Sequence, residues 1–195
     1  MTPWLLVDYG MVISLPFDED AYDALADLLG TEARHLRERY WQHRLAYDGG
    51  QSSEDYWSRV AGRPVSEAEA ASLNAQDVAG WERVDPLVLD LLDEQRQRGT
   101  RLALLSNAPF TQADAYDRAA WARLFEHLLV SSRLGLTKPD PAIFARALKL
   151  LEAAPRDVTF VDDRPENVAA AAVLGLHTIR YNGVDDLRHL LLRAP

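Results

Sequence analysis

Four short, largely apolar runs punctuate the chain, and each stops at a polar residue. Trp4-Leu5-Leu6-Val7 ends at Asp8, Leu102-Ala103-Leu104-Leu105 at Ser106, Leu128-Leu129-Val130 at Ser131, and Val158-Thr159-Phe160-Val161 at Asp162 and Asp163. Runs this short, without polar alternation, suit strands buried on both faces. His177 to Tyr181 reads as a fifth strand. Helix-like segments lie between the runs, so the pattern predicts a parallel, Rossmann-like α/β sheet flanked by helices on both sides.

Helix boundaries are signalled chemically as well. Asp85-Pro86 and Asp140-Pro141 each place a capping carboxylate before a proline suited to the first helical turn, and Gly99 marks a stop. From Phe17 to Val84 the strand signal vanishes. Four helical stretches take its place, broken at Gly30, Gly49-Gly50 and Gly62-Arg63-Pro64, with Ser66 and Glu69 spaced as a capping box. The expected organisation is an α/β core of residues 1–15 and 85–195 and a helical cap of residues 16–84.

Composition narrows the function classes. The 195 residues are 48% hydrophobic and 26% charged, enough for one sizeable core. With 21 Lys plus Arg against 30 Asp plus Glu, the net charge of −9 argues against a nucleic-acid partner, which needs a basic face. The absence of cysteine removes thiolate chemistry and Cys-ligated metals. The apolar stretch from Trp4 to Leu15 contains Asp8 and is shorter than the roughly 20 residues of a membrane span. The expectation is a cytoplasmic protein with no membrane partner, monomeric or homodimeric.

In open parallel sheets, ligands bind beyond the carboxyl ends of the strands, where Asp8, Ser106, Asp162 and Asp163 fall. Asp8 and Asp163 are hard oxygen ligands suited to Mg²⁺. Asn167, in the first turn of a helix started by Pro165, is placed to orient a ligand or a metal-bound water. Lys138, in Leu136-Thr137-Lys138-Pro139-Asp140-Pro141, supplies a cation.

These segments, together with Phe160-Val161-Asp162-Asp163-Arg164-Pro165-Glu166-Asn167-Val168, resemble the four motifs of the haloacid dehalogenase-like (HAD) hydrolases, in the branch with a helical cap. The resemblance runs in order over nearly the whole chain. It implies that Asp8 is a carboxylate nucleophile, Ser106 a phosphate-binding hydroxyl and Lys138 a charge-neutralising lysine. Asp163, Asp8 and the Gly10 backbone carbonyl become the Mg²⁺ ligands, Asp162 and Asn167 supporting residues. The implied activity is hydrolysis of a small phosphorylated metabolite through an aspartyl-phosphate.

One position departs from the pattern. Most phosphatases of this family carry a second aspartate two residues after the nucleophile as general acid and base, and here Gly10 stands there. Related branches with an Asp-x-Gly-x-Val motif, as in Asp8-Tyr9-Gly10-Met11-Val12, include sugar-phosphate phosphatases. The expected substrate therefore has a good leaving group: an anomeric sugar phosphate, favoured, or an aryl or acyl phosphate. Asp162 is an alternative source of the proton. Asn107, Arg44 and Tyr47 are expected at the substrate, the latter two from the glycine turn of the cap. Tyr40, Trp41, Tyr56 and Trp57 read as helix packing or a pocket wall. The histidines show no metal-ligand spacing, and Ser131 and Ser132 serve the loop before Lys138. Two other readings remain open, a metal-free 2-haloacid dehalogenase and an inert phospho-ligand sensor.

Overall fold

The computed structural model describes residues 3–192. Strands β1 (Trp4–Val7), β2 (Arg101–Ser106), β3 (His127–Val130), β4 (Val158–Asp162) and β5 (His177–Arg180) form one parallel sheet in the order β3-β2-β1-β4-β5. β1 lies at its centre, so Asp8, which continues the ladder by donating its N–H to the Val161 carbonyl (2.9 Å), emerges at the middle of the carboxyl edge.

Period-two alternation assigns the strand side chains to two cores. Leu5, Val7, Leu102, Leu104 and Val161 face α5 (Pro86–Gln97), α6 (Phe110–Arg118) and α10 (Val184–Leu191). Trp4, Leu6, Ala103, Leu105 and Phe160 face α8 (Pro141–Leu151) and α9 (Pro165–Val173). With both faces covered, the strands need no polar alternation, and that is the pattern the sequence shows.

Four helices follow β1: α1 (Glu19–Leu29), α2 (Ala33–Asp48), α3 (Ser53–Ala61) and α4 (Glu67–Gly80). They share a separate cluster that includes Tyr40, Tyr47, Tyr56 and Trp57, all fully buried, with the Tyr47 and Tyr56 rings stacked 4.1 Å apart. Helix packing is thus the role of Tyr40, Tyr56 and Trp57. The segments entering and leaving these helices pair at Ser14 and Val84 and are pinned by Leu15 N–H to the Arg83 carbonyl and Asp85 N–H to the Ile13 carbonyl, both 2.8 Å.

Asp85 and Asp140 cap their helices as expected, accepting from the N–H groups of Leu87 and Ala142. The capping box at Ser66 is half formed. Ser66 accepts from Glu69 N–H, but the Glu69 carboxylate turns to Arg63, because a 2.6 Å ion pair to guanidinium is the stronger contact. A four-residue helix, α7 (Ser131–Leu134), follows β3 directly and starts the loop that carries Lys138. None of the described helices is long and apolar enough to cross a membrane.

Candidate active site

The carboxyl edge of the sheet opens into a cavity of about 410 Å³ lined by Asp8, Gly10, Ser106, Lys138, Asp163 and Asn167 among others. That volume is within the usual range for a small-ligand site. Ser106 is the last residue of β2, Asp163 follows the end of β4, and Asn167 lies in the first turn of α9.

Lys138 organises the charges. Its ammonium, fully buried, sits 2.7 Å from Asp8 Oδ1 and 2.7 Å from Asp162 Oδ2. Its backbone is clamped by Asn107, whose Oδ1 accepts from Lys138 N–H (2.8 Å) while Nδ2 donates to the Lys138 carbonyl (2.9 Å). Asn107 thus lines the cavity, as expected for a residue near substrate, while its carboxamide also holds the lysine segment in place. Burial alone would lower the Lys138 pKa, but Asp8 and Asp162 outweigh it and hold the ammonium above its ordinary value.

Asp162 is fully buried and its oxygens accept from Lys138 Nζ, Asn167 Nδ2 and Arg164 N–H. With its acceptors so engaged, it orients Lys138 and Asn167 and does not deliver a proton to the cavity. Asp8 differs. Its Oδ1 accepts from Lys138 and from Tyr9 N–H, whereas Oδ2 has no hydrogen bond among the described residues. Burial, partly offset by Lys138 and reinforced by Asp162 and Asp163, pushes its carboxyl up to about 7. Asp163 is likewise raised by burial and by Asp162.

The residues fit a divalent cation. Oxygens of Asp8, Asp162 and Asp163 lie within 4.8 Å of one another, and Lys138 pairs with Asp8 and Asp162 but not with Asp163, so negative charge exceeds positive charge in the cluster. Asn167 Oδ1, buried at the cavity wall, accepts no hydrogen bond, as expected for a group awaiting a metal-bound water. Since Asp162 is saturated, Asp8 and Asp163 are the carboxylates left to ligate.

Gly10 has ordinary backbone geometry, and a Cβ built there meets nothing within 4 Å. No neighbour has filled the space of the missing aspartate.

Arg44 requires correction. It borders the cavity, but its Nε pairs with Asp48 (2.8 Å) and its Nη1 with Asp77 (3.0 Å) and the Tyr40 hydroxyl, and Asp77 is wholly buried. Two carboxylates already match this guanidinium, so no charge is left for a substrate anion. Burial would lower its pKa, yet Asp77, Tyr40 and Asp48 hold it well above the ordinary value. Tyr47 is also reassigned: its hydroxyl donates to Asn74 (2.8 Å) and contacts Ser53 and Thr111, away from the cavity. Ser131 ties the segment after β2 to the end of α2, as its Oγ accepts from Ala108 N–H (2.9 Å) and donates to the Asp48 carbonyl.

The sequence reading missed several wall residues: Met11, Leu45, Trp81, Gln112 and Tyr116, and it left Trp41 ambiguous. The Tyr116 hydroxyl lies 3.4 Å from Ser106 Oγ. The i,i+4 pairing of Trp41 and Leu45 on α2 was the available signal, but a buried stripe has the same spacing.

The comparisons agree on family. Residues 12–175 match the haloacid dehalogenase-like hydrolases. Over 90 residues, 45% of this chain, the sequence is 37% identical to the phosphoserine phosphatase of Thermus thermophilus, of which the chain spans about a third (36%). A HAD family enzyme of Bacteroides thetaiotaomicron, solved with magnesium and inorganic phosphate, superposes with a TM-score of 0.78 at 21% identity, covering 97% of this chain and 99% of that one. A 2-haloacid dehalogenase of Pseudomonas syringae pv. Tomato gives a TM-score of 0.73 at 24% identity, with 99% of both chains covered. The protein, with its parallel α/β sheet, belongs to the haloacid dehalogenase-like hydrolases.

Proposed function

We propose that this hydrolase is a Mg²⁺-dependent phosphomonoesterase acting on a small phosphorylated metabolite. The observation that carries the reading is the charge balance at Asp8, Asp162, Asp163 and Lys138: three clustered carboxylates beside one ammonium, with an Asp8 oxygen that has no hydrogen-bond partner among the described residues. The similarity to a phosphoserine phosphatase supports the same reaction class. In this reading residues 16–84 form a cap over the core, and Asp8, Asp163 and the Gly10 carbonyl hold the ion.

Asp8 Oδ2 attacks phosphorus in line, the bond from phosphorus to the leaving oxygen breaks, and the resulting aspartyl-phosphate is cleaved by water. Lys138 and Ser106 steady the phosphoryl oxygens, while Asn107 and Asp162 hold Lys138 in place. Bound Mg²⁺ supplies electrophilic stabilisation of the phosphoryl charge and balances the carboxylates. With Gly10 in the acid position, the leaving oxygen departs without a proton from that residue, so esters of acidic alcohols react best. The sequence favours an anomeric sugar phosphate among these.

The test is phosphate release from p-nitrophenyl phosphate with Mg²⁺ or EDTA. Chelation lowers the rate by about 10²-fold or more and added Mg²⁺ restores it. Halide release from a 2-haloacid that survives EDTA would replace this reading with a dehalogenase. Binding of a phosphate ester with no turnover would replace it with a sensor, the reading that the empty space at Gly10 favours.

Gly10→Asp is the complementary prediction. Because the space is free and the backbone unstrained, the new carboxyl reaches the leaving oxygen and raises kcat on an alkyl phosphate by about 10-fold to 10²-fold relative to p-nitrophenyl phosphate. An unchanged ratio would show that another group already delivers the proton.

A further inference from the structure

The phosphoryl end of the cavity is polar, but the wall contributed by α2 and the segment after α4 is not. Trp41 and Leu45, one helical turn apart on α2, are 48% and 55% exposed, and Met11, from the turn after Asp8, is 44% exposed. These are three of the eight large hydrophobic side chains exposed among the described residues, and all three border this one cavity. Trp81 completes the wall, its ring 6.2 Å from that of Trp41 and inclined at 87°, so the two indoles form a right-angled corner.

The polar handles of this corner point inward. Trp41 Nε1 donates to the Tyr22 hydroxyl (3.0 Å) and Trp81 Nε1 to the Tyr40 hydroxyl (3.1 Å). Arg44, the cation on this side, is matched by Asp48 and Asp77. What the wall offers a ligand is ring and aliphatic surface. A hexose would bring several hydroxyl groups against it and leave them without partners once water is displaced, which is costly. Beyond Asp8 Oδ2 and Asn167 Oδ1 at the phosphoryl end, the buried lining holds, among the described residues, one further side-chain atom without a partner, Gln112 Oε1. That is enough for one ring substituent and too little for a sugar.

We propose that the substrate is an aryl phosphate, the phosphate ester of a phenol, whose ring packs into the Trp41–Trp81 corner while its phosphoryl group faces Asp8. The inference rests on the phosphomonoesterase reading and selects within it. A ring in the corner gains offset or edge-to-face contact with both indoles. A phenolate departs without a proton, so the same substrate class answers the apolar wall and the glycine at position 10. The balance is simple: water is consumed, and a phenol and inorganic phosphate are released.

The experiment compares 1-naphthyl phosphate, glucose 1-phosphate and acetyl phosphate on the full chain with Mg²⁺. It adds two non-hydrolysable inhibitors, phenylphosphonate and methylphosphonate, which separate recognition of the ring from leaving-group reactivity. The naphthyl ester is expected to exceed glucose 1-phosphate in kcat/KM by about 10²-fold, and phenylphosphonate to inhibit about tenfold more tightly than methylphosphonate. Trp41→Ala lowers the ratio of naphthyl to acetyl phosphate kcat/KM by about tenfold, mainly through KM. Leu45→Ala, which removes no hydrogen bond, moves it in the same direction and guards against a folding defect at Trp41. Equal inhibition by the two phosphonates, or glucose 1-phosphate matching the naphthyl ester, overturns the aryl assignment and leaves the phosphatase standing. No release even from acetyl phosphate overturns both.

Discussion

Asp8→Asn is expected to reduce phosphate release by about 10⁴-fold or more, because an amide oxygen cannot form the covalent intermediate that the mechanism requires. The same substitution stabilises the metal-free protein. Asp8 is a buried carboxylate facing two others across a single ammonium, and its pKa is pushed up to about 7, mainly by burial. A folded-state pKa above the unfolded one means that the native state binds more protons between about pH 4 and pH 7. Stability therefore falls as pH rises through that window, and the asparagine side chain of the variant, which has no proton to lose, escapes the fall. In EDTA, the melting temperature of the variant should exceed that of wild type by a margin that widens from pH 5 to pH 8. With Mg²⁺ the margin should shrink or reverse, because the ion binds the wild-type carboxylates and stabilises the folded state by mass action. Undiminished turnover in the variant would remove Asp8 from the reaction. A margin independent of pH would show that its carboxylate carries no native-state strain.

The strands were legible because each is buried on both faces and so reads as an unbroken apolar run, and the first polar residue after such a run marks the carboxyl edge of the sheet. Asp8, Ser106 and Asp163 were found that way, and the structure brings all three to one cavity. The boundaries shifted by a residue where a polar side chain still continues the ladder, as Asp162 does opposite Arg180. The side of the site formed by α2 was not legible. Whether a polar side chain reaches the ligand or another side chain depends on partners far away in the chain. Arg44 is captured by Asp77, which lies on α4 and leaves no trace in the spacing around Arg44. Asn107 looks the same in sequence whether it faces substrate or the Lys138 backbone. Conversely, Trp41 and Tyr40 are adjacent aromatics with opposite fates, one half exposed at the cavity and one fully buried. Only the orientation of α2 on its neighbours distinguishes them.

That difference gives Arg44→Ala a sharp outcome. Were Arg44 the substrate-binding cation that its position in the sequence suggested, its loss would raise KM and leave the fold intact. In the structure it neutralises Asp77, which has no solvent exposure, bridges to Asp48 at the end of α2, and lies over the Tyr40 ring at 5.0 Å. Removing one partner of a buried ion pair strands the other charge in a low-dielectric interior, a loss of about 3–5 kcal/mol. For a chain of this size that corresponds to a fall in melting temperature of roughly 10 °C. The damage should centre on the helices α1 to α4, since Arg44, Asp77 and Tyr40 all belong to α2 and α4. Replacing Arg44 by Met together with Asp77 by Leu removes the wholly buried carboxylate along with its partner, leaves only Asp48 at the end of α2 without its arginine, and should recover part of the loss, because a stranded buried carboxylate is what destabilises the single variant. Urea denaturation of wild type, Arg44→Ala and the double variant decides the matter. An Arg44→Ala protein as stable as wild type, with a raised KM, would return this arginine to the substrate.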